Sequence, residues 1–199
     1  MIILIGTDKL FNMKGYIYTM FQGADPATGW EMTDPIYGKV PTLGACMPNV
    51  RRVVQMDDYI FSISGRVRDV NQYVVGGFKV DEKINALAAY KRFPENRMKV
   101  KQDGSLAGNI IIDKDGKHLD YDYHTNHEKR IDNYIIGKDP IMISGEKQVQ
   151  KAREETLNIL NDLFGKNEDS VHKIIGRWRK LDQAQIDDLI SWMKQIRKG

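Results

Sequence analysis

The amino-acid sequence predicts an α+β protein: a compact, partly closed mixed β-barrel with C-terminal helices packed against it. Residues 1–145 contain short β-like runs that are broken by Gly, Pro, Asn and Asp. From residue 146 onward, apolar residues recur at helical spacing. Several short strands accompanied by one helix favour a compact, partly closed barrel.

Six segments of the first part are predicted as strands because β-branched and aromatic residues are dense in them and turn-forming residues bound them. They are residues 16–21, 50–54, 59–63, 72–80, 109–112 and 134–143. Asp115-Gly116 predicts a hairpin turn after the fifth segment. Residues 83–91 carry Ile84, Leu87, Ala88 and Tyr90, which predict a short crossing helix.

The last part of the chain is predicted to be helical. Residues 149–163 place their apolar side chains on one face, and Gly165 ends that helix. Ser170 is the predicted cap of a segment that runs through residue 178. Asp182 and Gln185 form a capping box before a final helix. We expect a β-rich domain over residues 1–145 and a helical extension over residues 146–199 that belongs to the same globular unit.

Composition restricts the class of protein. The 199 residues are 41% hydrophobic and 29% charged, as in a globular protein that is soluble. A net charge of +3 permits contact with phosphate but does not demand it. The single cysteine excludes an internal disulfide and fits a reducing compartment. The opening MIILIG is too short for a signal-peptide core, and no apolar run reaches membrane-spanning length. We therefore expect a cytoplasmic protein without a membrane partner; its oligomeric state is left open.

Residues 41–65 have the composition of a pocket wall. Arg51 and Arg52 follow a turn with a proline, and a guanidinium suits phosphate because it donates two parallel hydrogen bonds. On a strand the two side chains point to opposite faces, so one of them would enter the pocket. The alternative is that both pair with nearby acids such as Asp57 and Asp58.

Other polar residues of this wall have two interpretations each. Asp58 is either a pocket acid or an acceptor of backbone N–H groups in a turn. Ser62 and Ser64 share one face and line a cavity as hydrogen-bonding groups, since no base that could activate either lies next to it in sequence. Cys46 is a weak nucleophile candidate, because an unpaired cysteine is more often an inert packing residue.

A second polar cluster occupies residues 120–128. His124 and His127 are spaced to meet on a helix, but the pattern matches neither HExxH nor its inverted form, so we expect no metal. We expect no cofactor either. A histidine here would be a general acid or base if it faced the wall formed by residues 41–65. Trp30 lies in a Gly- and Pro-containing loop that has the character of a lid.

Five short motifs carry a family resemblance. They are Tyr16-Ile17-Tyr18, Pro41-Thr42-Leu43, Cys46-Met47-Pro48, Val50-Arg51-Arg52 and Asp58-Tyr59-Ile60. In this order and spacing, residues 14–145 resemble the nucleotide modification associated domain 2 family. The sequence departs from the pattern at Asp57, where a glycine is expected.

The resemblance implies association with modified nucleotides, often in phage or phage-defence settings. By fold analogy it also points to barrels of the PUA and EVE type, which accept a flipped modified base. The pocket residues that it implies are Tyr16, Pro41, Thr42, Cys46, Arg51, Arg52 and Asp58.

Three functions remain open from the sequence. The first is recognition of a modified nucleobase or nucleotide, free or within single-stranded or base-flipped nucleic acid. The second is an enzyme that acts on such a base, for example by N-glycosidic cleavage. Asp58 or Asp122 would then stabilise positive charge, while His124 or His127 carries the proton. The third is a structural module that binds other proteins through its amphipathic helices.

Overall fold

The computed structural model describes residues 13–199 as a mixed β-sheet with helices against it. The strands are β1 (Gly15–Thr19), β2 (Thr42–Leu43), β3 (Tyr59–Ile63), β4 (Val74–Ile84), β5 (Lys99–Val100), β6 (Leu106–Ala107), β7 (Tyr134–Met142) and β8 (Trp178–Leu181). The helices are α1 (Pro48–Val53), α2 (Ala86–Arg92), α3 (Glu146–Phe164), α4 (Val171–Ile175) and α5 (Gln183–Lys198). Within this part of the chain, no helix combines the length and the apolar character needed to cross a membrane.

The main sheet has six strands in the order β2-β7-β4-β3-β1-β8, and β5 pairs with β6 in a separate hairpin. Strands β1 and β3 run parallel, whereas the other pairs in the main sheet are antiparallel. The α+β class and the C-terminal helices are as predicted. Over residues 13–199 the sheet is open, with β2 and β8 at its two ends, so the predicted closure into a barrel is not seen there.

The two faces of the sheet are covered differently. A side chain at Gly15 would collide with Ile186 of α5, so this side of β1 faces the helices. Because strand side chains alternate, Tyr18 of β1 points to the opposite face. Ser62, the register partner of Tyr18 on β3, lies on that face too, and its hydroxyl is 3.0 Å from the Tyr37 hydroxyl. The segment between β1 and β3 therefore covers the face away from the helices.

Helix α3 is anchored to the sheet by a buried polar contact. It buries Ala152, Thr156 and Leu160 and ends at Gly165, whose φ of 56° is the left-handed conformation that glycine favours. The Thr156 hydroxyl accepts a hydrogen bond of 3.1 Å from the backbone N–H of Val74 in β4. This bond satisfies a buried donor at the start of the longest strand.

The C-terminal region is not entirely helical. The predicted capping box of α5 is confirmed, with Asp182 and Gln185 exchanging side-chain and backbone hydrogen bonds. The predicted helix up to residue 178 is wrong beyond Ile175, because Gly176 follows the last helical residue with a positive φ. Trp178 then begins β8, which pairs with β1.

Two of the six segments predicted as strands do not form strands. Residues 50–54 are mostly helical because Pro48 begins the helix. In the first turn the missing N–H of proline costs no hydrogen bond, and the φ angle of its ring is already helical. Residues 109–112 form only isolated bridges, such as the one between Ile112 and His118 across the turn predicted at Asp115-Gly116. The prediction for β3 is confirmed, as is the short crossing helix, seen as α2. The opening MIILIG lies outside the described residues.

Candidate functional site

The loop of residues 44–46, which we term the cysteine loop, is held by a buried carboxylate. Oδ1 of Asp34 accepts the N–H of Gly44 at 2.8 Å, and Oδ2 accepts those of Ala45 and Cys46 at 2.8 and 2.5 Å. The side-chain amide of Asn109 donates a fourth hydrogen bond to Oδ1 at 3.0 Å. These bonds fix the backbone from which the Cys46 side chain projects.

Arg51 holds the same loop from its carbonyl side. Its side chain is fully buried, and its five N–H groups all donate to backbone carbonyls. The acceptors, at 2.8–3.2 Å, are the oxygens of Ala45, Cys46, Arg130, Asp132 and Asn133. Burial lowers the pKa of Arg51 to about 10, with nearby Asp34 acting in the opposite direction, so the guanidinium stays charged at neutral pH. No N–H of Arg51 is left for a phosphate.

The cysteine loop contacts a second loop, residues 118–130, which we term the histidine loop. Nη1 of Arg130 donates to the Ala45 carbonyl at 2.7 Å, and its Nε donates to the Thr125 carbonyl at 2.8 Å. One side chain thus connects the two loops, in addition to the Arg51 bond to the Arg130 carbonyl. The two segments are therefore fixed relative to each other.

This connection brings Cys46 of the cysteine loop next to Asp122 and His124 of the histidine loop. The Cys46 Sγ lies 3.9 Å from the His124 Nε2, although the residues are 78 positions apart. The His124 Nδ1 lies 2.6 Å from the Asp122 Oδ1. We term Cys46, His124 and Asp122 the Cys–His–Asp relay. Because an ionised carboxylate can only accept, we assign the proton to Nδ1, which donates to Asp122 and leaves Nε2 to accept from the thiol.

Asp122 is positioned to act as a carboxylate. Its side chain is fully buried, and its second oxygen lies 2.6 Å from the Nε2 of His118. Burial tends to raise the pKa of Asp122, but the hydrogen bonds and charges of His124 and His118 outweigh it and lower the pKa below its ordinary value. The aspartate is therefore ionised at neutral pH and orients the imidazole of His124.

The thiol is protonated in this state. Burial raises the pKa of Cys46 well above its ordinary value, and the negative charge of Asp34 raises it further. The positive charges of Arg130 and Arg51 oppose this shift without cancelling it. Cys46 would consequently react only as its proton passes to a base, and His124 is the base in contact with it.

His127 lies beside the relay and is not part of it. Its ring stacks on that of His118, with centroids 4.5 Å apart and planes 3° apart, and its Nδ1 is 3.6 Å from Glu128. Between residues 13 and 199 no group of three or more His, Cys, Asp or Glu residues has the geometry of a metal site. The histidine loop thus provides a relay together with a stacked second histidine.

A buried phenol points to the sheet face away from α5. Tyr18 is 1% exposed, and its hydroxyl is the one fully buried side-chain polar atom of the described residues that has no hydrogen-bond partner. Burial raises the pKa of Tyr18 well above its ordinary value, and electrostatic interactions with Tyr37, Asp34 and Cys46 raise this pKa further.

Several sequence-predicted residues have structural contacts instead of facing the relay. Asp58 accepts the backbone N–H groups of Lys14 and Gln55 at 3.0 and 2.9 Å, the turn role that was its alternative interpretation. Asp57 adopts a φ of 70°, in the left-handed region that is uncommon for residues other than glycine. Ser64 accepts the backbone N–H of Tyr73.

The remaining predicted pocket residues are spread around the sheet. Thr42 is buried, and its hydroxyl accepts hydrogen bonds from the amides of Asn96 and Asn109. The others are Tyr16, whose ring is 6.1 Å from Trp178; Trp30, packed edge-on against Phe21; Pro41, whose carbonyl accepts from Gly137; and Arg52, which is exposed. Of the predicted site residues, the structure thus brings together Cys46, Asp122 and His124, while the Ser62 hydroxyl contacts Tyr37.

Sequence reasoning missed Asp34, His118 and Arg130 as residues of the site. His118 had a readable signal, because it precedes Asp122 by four positions in a segment already rich in histidine. Asp34 and Arg130 had none, since their partners are backbone groups brought near by the fold.

Comparison with models of known protein families, with curated proteins and with solved structures gives no match. Over residues 13–199, the fold and the site describe an α+β protein in which two connected loops form a Cys–His–Asp relay.

Proposed function

We propose that this protein is an enzyme that acts on a modified nucleobase or nucleotide with Cys46 as its nucleophile. The observation that carries the proposal is the Cys–His–Asp relay, in which thiol, imidazole and carboxylate contact one another in that order. A nucleophile in contact with a base, which is itself oriented by a third group, is the arrangement of thiol-dependent enzymes.

Each member of the relay has a defined task. His124 takes the proton of the Cys46 thiol as the sulfur attacks, and later returns it to the leaving group. Asp122 holds the imidazole in the required tautomer and stabilises the imidazolium that forms. Because the thiol is neutral before substrate binds, attack and proton transfer belong to one step.

N-glycosidic cleavage, the example considered from the sequence, is less well supported. That chemistry needs a carboxylate that faces the sugar as positive charge develops. Both oxygens of Asp122 are engaged by His118 and His124. Both oxygens of Asp58 accept backbone N–H groups. Attack by the Cys46 sulfur, in contrast, uses the observed contacts of the thiol with His124 and of His124 with Asp122.

The substrate class rests on the family resemblance of residues 14–145, which points to modified nucleotides. Exposed aromatic rings near the relay agree with it, because a base stacks favourably on such rings. Tyr123 is 80% exposed and its ring lies 6.1 Å from that of His124 with a 22° angle between planes. The PUA-like barrel remains a prediction, and the proposal does not depend on it.

Recognition without chemistry is the second candidate function. It is favoured by the raised pKa of Cys46, which keeps the thiol unreactive, and by the exposure of Tyr123 beside it. In this reading the base stacks on the histidine loop and leaves unchanged. Under either function, we propose that the base can belong to a nucleic acid. We also propose that the protein acts in the cytoplasm, in a phage or phage-defence setting.

The test is incubation with single-stranded oligonucleotides that each carry one acylated, alkylated or hydroxymethylated base. Nucleosides are then quantified by mass spectrometry, and retention of each oligonucleotide on the protein is measured in parallel. We expect at least one modified nucleoside to be consumed by the wild type and preserved by Cys46→Ser and His124→Gln. His172→Gln, which alters an exposed histidine of α4, is the matched control and keeps full activity.

The outcomes separate the two functions. Retention of a modified oligonucleotide with no nucleoside consumed supports recognition and contradicts the enzyme. Consumption that is unchanged in Cys46→Ser contradicts the relay as the active site.

A further inference from the structure

The guanidinium of Arg130 is bonded to the chain on either side of the contact between Cys46 and His124. Its Nη1 donates to the carbonyl of Ala45, which belongs to the peptide group that continues into Cys46, at 2.7 Å. Its Nε donates to the carbonyl of Thr125, the residue after His124, at 2.8 Å. The Cys46 sulfur and the His124 Nε2 are 3.9 Å apart. The guanidinium is therefore held at two points, beside both reacting members of the relay.

These two hydrogen bonds do not use up the guanidinium. An arginine side chain has five N–H groups, and Arg130 commits one at Nε and one at Nη1. Among residues 13–199, no acceptor is bonded to its Nη2, and no carboxylate forms an ion pair with it. The side chain is half-buried, so it is fixed in place and still open to a ligand.

The other charged groups around Cys46 are occupied. All the N–H groups of Arg51 donate to backbone carbonyls. The carboxylate of Asp34 accepts four hydrogen bonds, from three backbone N–H groups and one amide. Both oxygens of Asp122 are engaged by histidines. Of these four charged side chains, Arg130 alone has hydrogen-bond donors to spare.

The positive charge of Arg130 acts on the Cys46 sulfur. Burial and the negative charge of Asp34 raise the pKa of Cys46, and among the groups that oppose them Arg130 has a larger effect than Arg51. A guanidinium binds phosphate and carboxylate oxygens through charge-assisted hydrogen bonds, which are stronger than those between neutral groups. A negative group on a molecule that reaches the sulfur therefore meets a donor that is already in place.

We infer that the Nη2 of Arg130 binds a phosphate of the nucleotide substrate and so holds that substrate against Cys46. The inference rests on the proposed function, because it names the group by which the nucleotide is held at the relay. It adds that a phosphate lies close to the atom that the sulfur attacks, so a free base or an uncharged nucleoside is a poorer ligand. The phosphate contact considered from the sequence for Arg51 or Arg52 is thus assigned to Arg130.

The test compares two reagents that differ mainly in charge, iodoacetate and iodoacetamide. The chain contains a single cysteine, so the intact mass reports alkylation of Cys46 alone. The ratio of the two rates is measured for wild type, Arg130→Gln, Arg130→Lys and Lys129→Gln at one pH and one ionic strength, with N-acetylcysteine as the reference thiol. Lys129→Gln is the matched control, because it removes one positive charge from the neighbouring exposed side chain.

We expect the ratio of the iodoacetate rate to the iodoacetamide rate to be about tenfold higher for the wild type than for N-acetylcysteine, as one charge-assisted hydrogen bond would produce. Arg130→Gln should return the ratio to the reference value, and Arg130→Lys should keep part of the increase. Lys129→Gln should stay within about twofold of the wild type, because an exposed charge is screened. Both rates depend equally on thiolate fraction and exposure, so their ratio separates the anion contact from any loosening of the loops.

Competition identifies the anion as phosphate and its source. Inorganic phosphate, thymidine 5′-monophosphate, a short oligothymidylate and thymidine are added in turn, with sodium chloride at matched ionic strength as the control. We expect phosphate compounds to lower the wild-type ratio toward the reference value and to leave that of Arg130→Gln unchanged, whereas thymidine has no effect. Competition by the monophosphate or by the oligonucleotide supports the site, and the stronger competitor indicates whether the substrate is a free nucleotide or a nucleic acid.

A wild-type ratio equal to that of N-acetylcysteine, a ratio unchanged in Arg130→Gln, or competition by thymidine as strong as by the phosphates would overturn the assignment. So would the lack of competition by every phosphate compound. If Arg130→Gln does not fold, the wild-type ratio and the competition still decide. None of these measurements needs turnover, so their failure leaves the proposed function standing when Cys46→Ser abolishes consumption of a modified nucleoside. Consumption that persists in Cys46→Ser contradicts the proposed function and not the anion contact.

Discussion

The sulfur of Cys46 and the Nε2 of His124 are 3.9 Å apart although 78 residues separate them in the chain. The contact exists because two arginines hold the loops on either side of it. Arg130 and Arg51 both donate to the Ala45 carbonyl, and Arg51 also donates to the Arg130 carbonyl. The relay therefore depends on guanidinium groups that donate hydrogen bonds to the backbone carbonyls of both loops.

Arg51→Lys should destabilise the protein strongly. A lysine offers three donors from one atom and cannot reach five carbonyls, so buried acceptors lose their partners. Each unsatisfied buried group costs about 1–3 kcal/mol, and we expect a total loss above about 3 kcal/mol in urea unfolding. Arg52→Ala is the control, because that side chain is exposed, and should change the free energy of unfolding by less than about 0.5 kcal/mol. Equal stabilities of the two variants would contradict the structural role of Arg51.

Gly44→Ala should disturb the cysteine loop. A Cβ at this position would lie 2.4 Å from the Asn109 carbonyl oxygen and 2.7 Å from the Tyr134 ring. Relief of such overpacking costs about 1–3 kcal/mol, which urea unfolding would detect. Gly38→Ala meets no heavy atom within 4 Å and serves as the control. A tolerated Gly44→Ala would show that the loop can move away from Asn109.

Alkylation of Cys46 by iodoacetamide should be slow at neutral pH and should rise about tenfold per pH unit. The raised pKa of the thiol means that the thiolate fraction keeps growing beyond pH 8.5, about the ordinary cysteine value. The rate is followed by intact mass between pH 6 and pH 9.5. A fast rate that levels off below pH 8 would indicate a thiolate–imidazolium pair formed before substrate binds.

Asp122→Asn should lower any Cys46-dependent activity about 10²–10⁴-fold, because the imidazole loses its orienting carboxylate. It should also change the pH dependence of stability. The pKa of Asp122 is lower in the folded protein than the value of about 3.9 expected in the unfolded chain. The ionised carboxylate therefore stabilises the fold above that value, and this stabilisation disappears as the pH falls through the lower pKa of the folded state. The difference in unfolding free energy between wild type and Asp122→Asn should therefore be largest near neutrality. A difference that grows below pH 4 would contradict this account.

Thr156→Val should destabilise the contact between α3 and β4. Valine keeps the shape of threonine but leaves the buried N–H of Val74 without its acceptor, at a cost of about 1–3 kcal/mol. Thr156→Ser retains the hydroxyl and isolates the effect of the lost methyl group. Urea unfolding in which valine equals or exceeds threonine would show that the hydrogen bond is dispensable.

The sequence predicts those elements whose local signals agree with their packing. The capping box at Asp182 and the alternation of 59–63 are such cases, since both depend on residues close in the chain. Residues 50–54 mislead because β-branched valines favour a strand, whereas Pro48 in the first turn favours a helix. Strand β8 is short, and it forms only because β1 offers it an edge.

The candidate site divides in the same way. The sequence picks out Cys46, Asp122 and His124 individually, as residue types that bear chemistry. Their contact depends on Arg51 and Arg130, whose partners are backbone carbonyls that no residue pattern reports. From the sequence, either one of Arg51 and Arg52 reaches a phosphate in the pocket, or both pair with nearby acids. On a buried helix the Arg51 guanidinium satisfies the backbone instead.

The central claim is that Cys46 forms a covalent bond with its substrate. Its most direct test is to quench the wild-type protein during reaction with the oligonucleotides that carry modified bases and to map the peptides by mass spectrometry. The account predicts a mass increase on the peptide that contains Cys46, absent from Cys46→Ser and strongly reduced in His124→Gln. Turnover with no adduct on that peptide, and at an undiminished rate in Cys46→Ser, would contradict it.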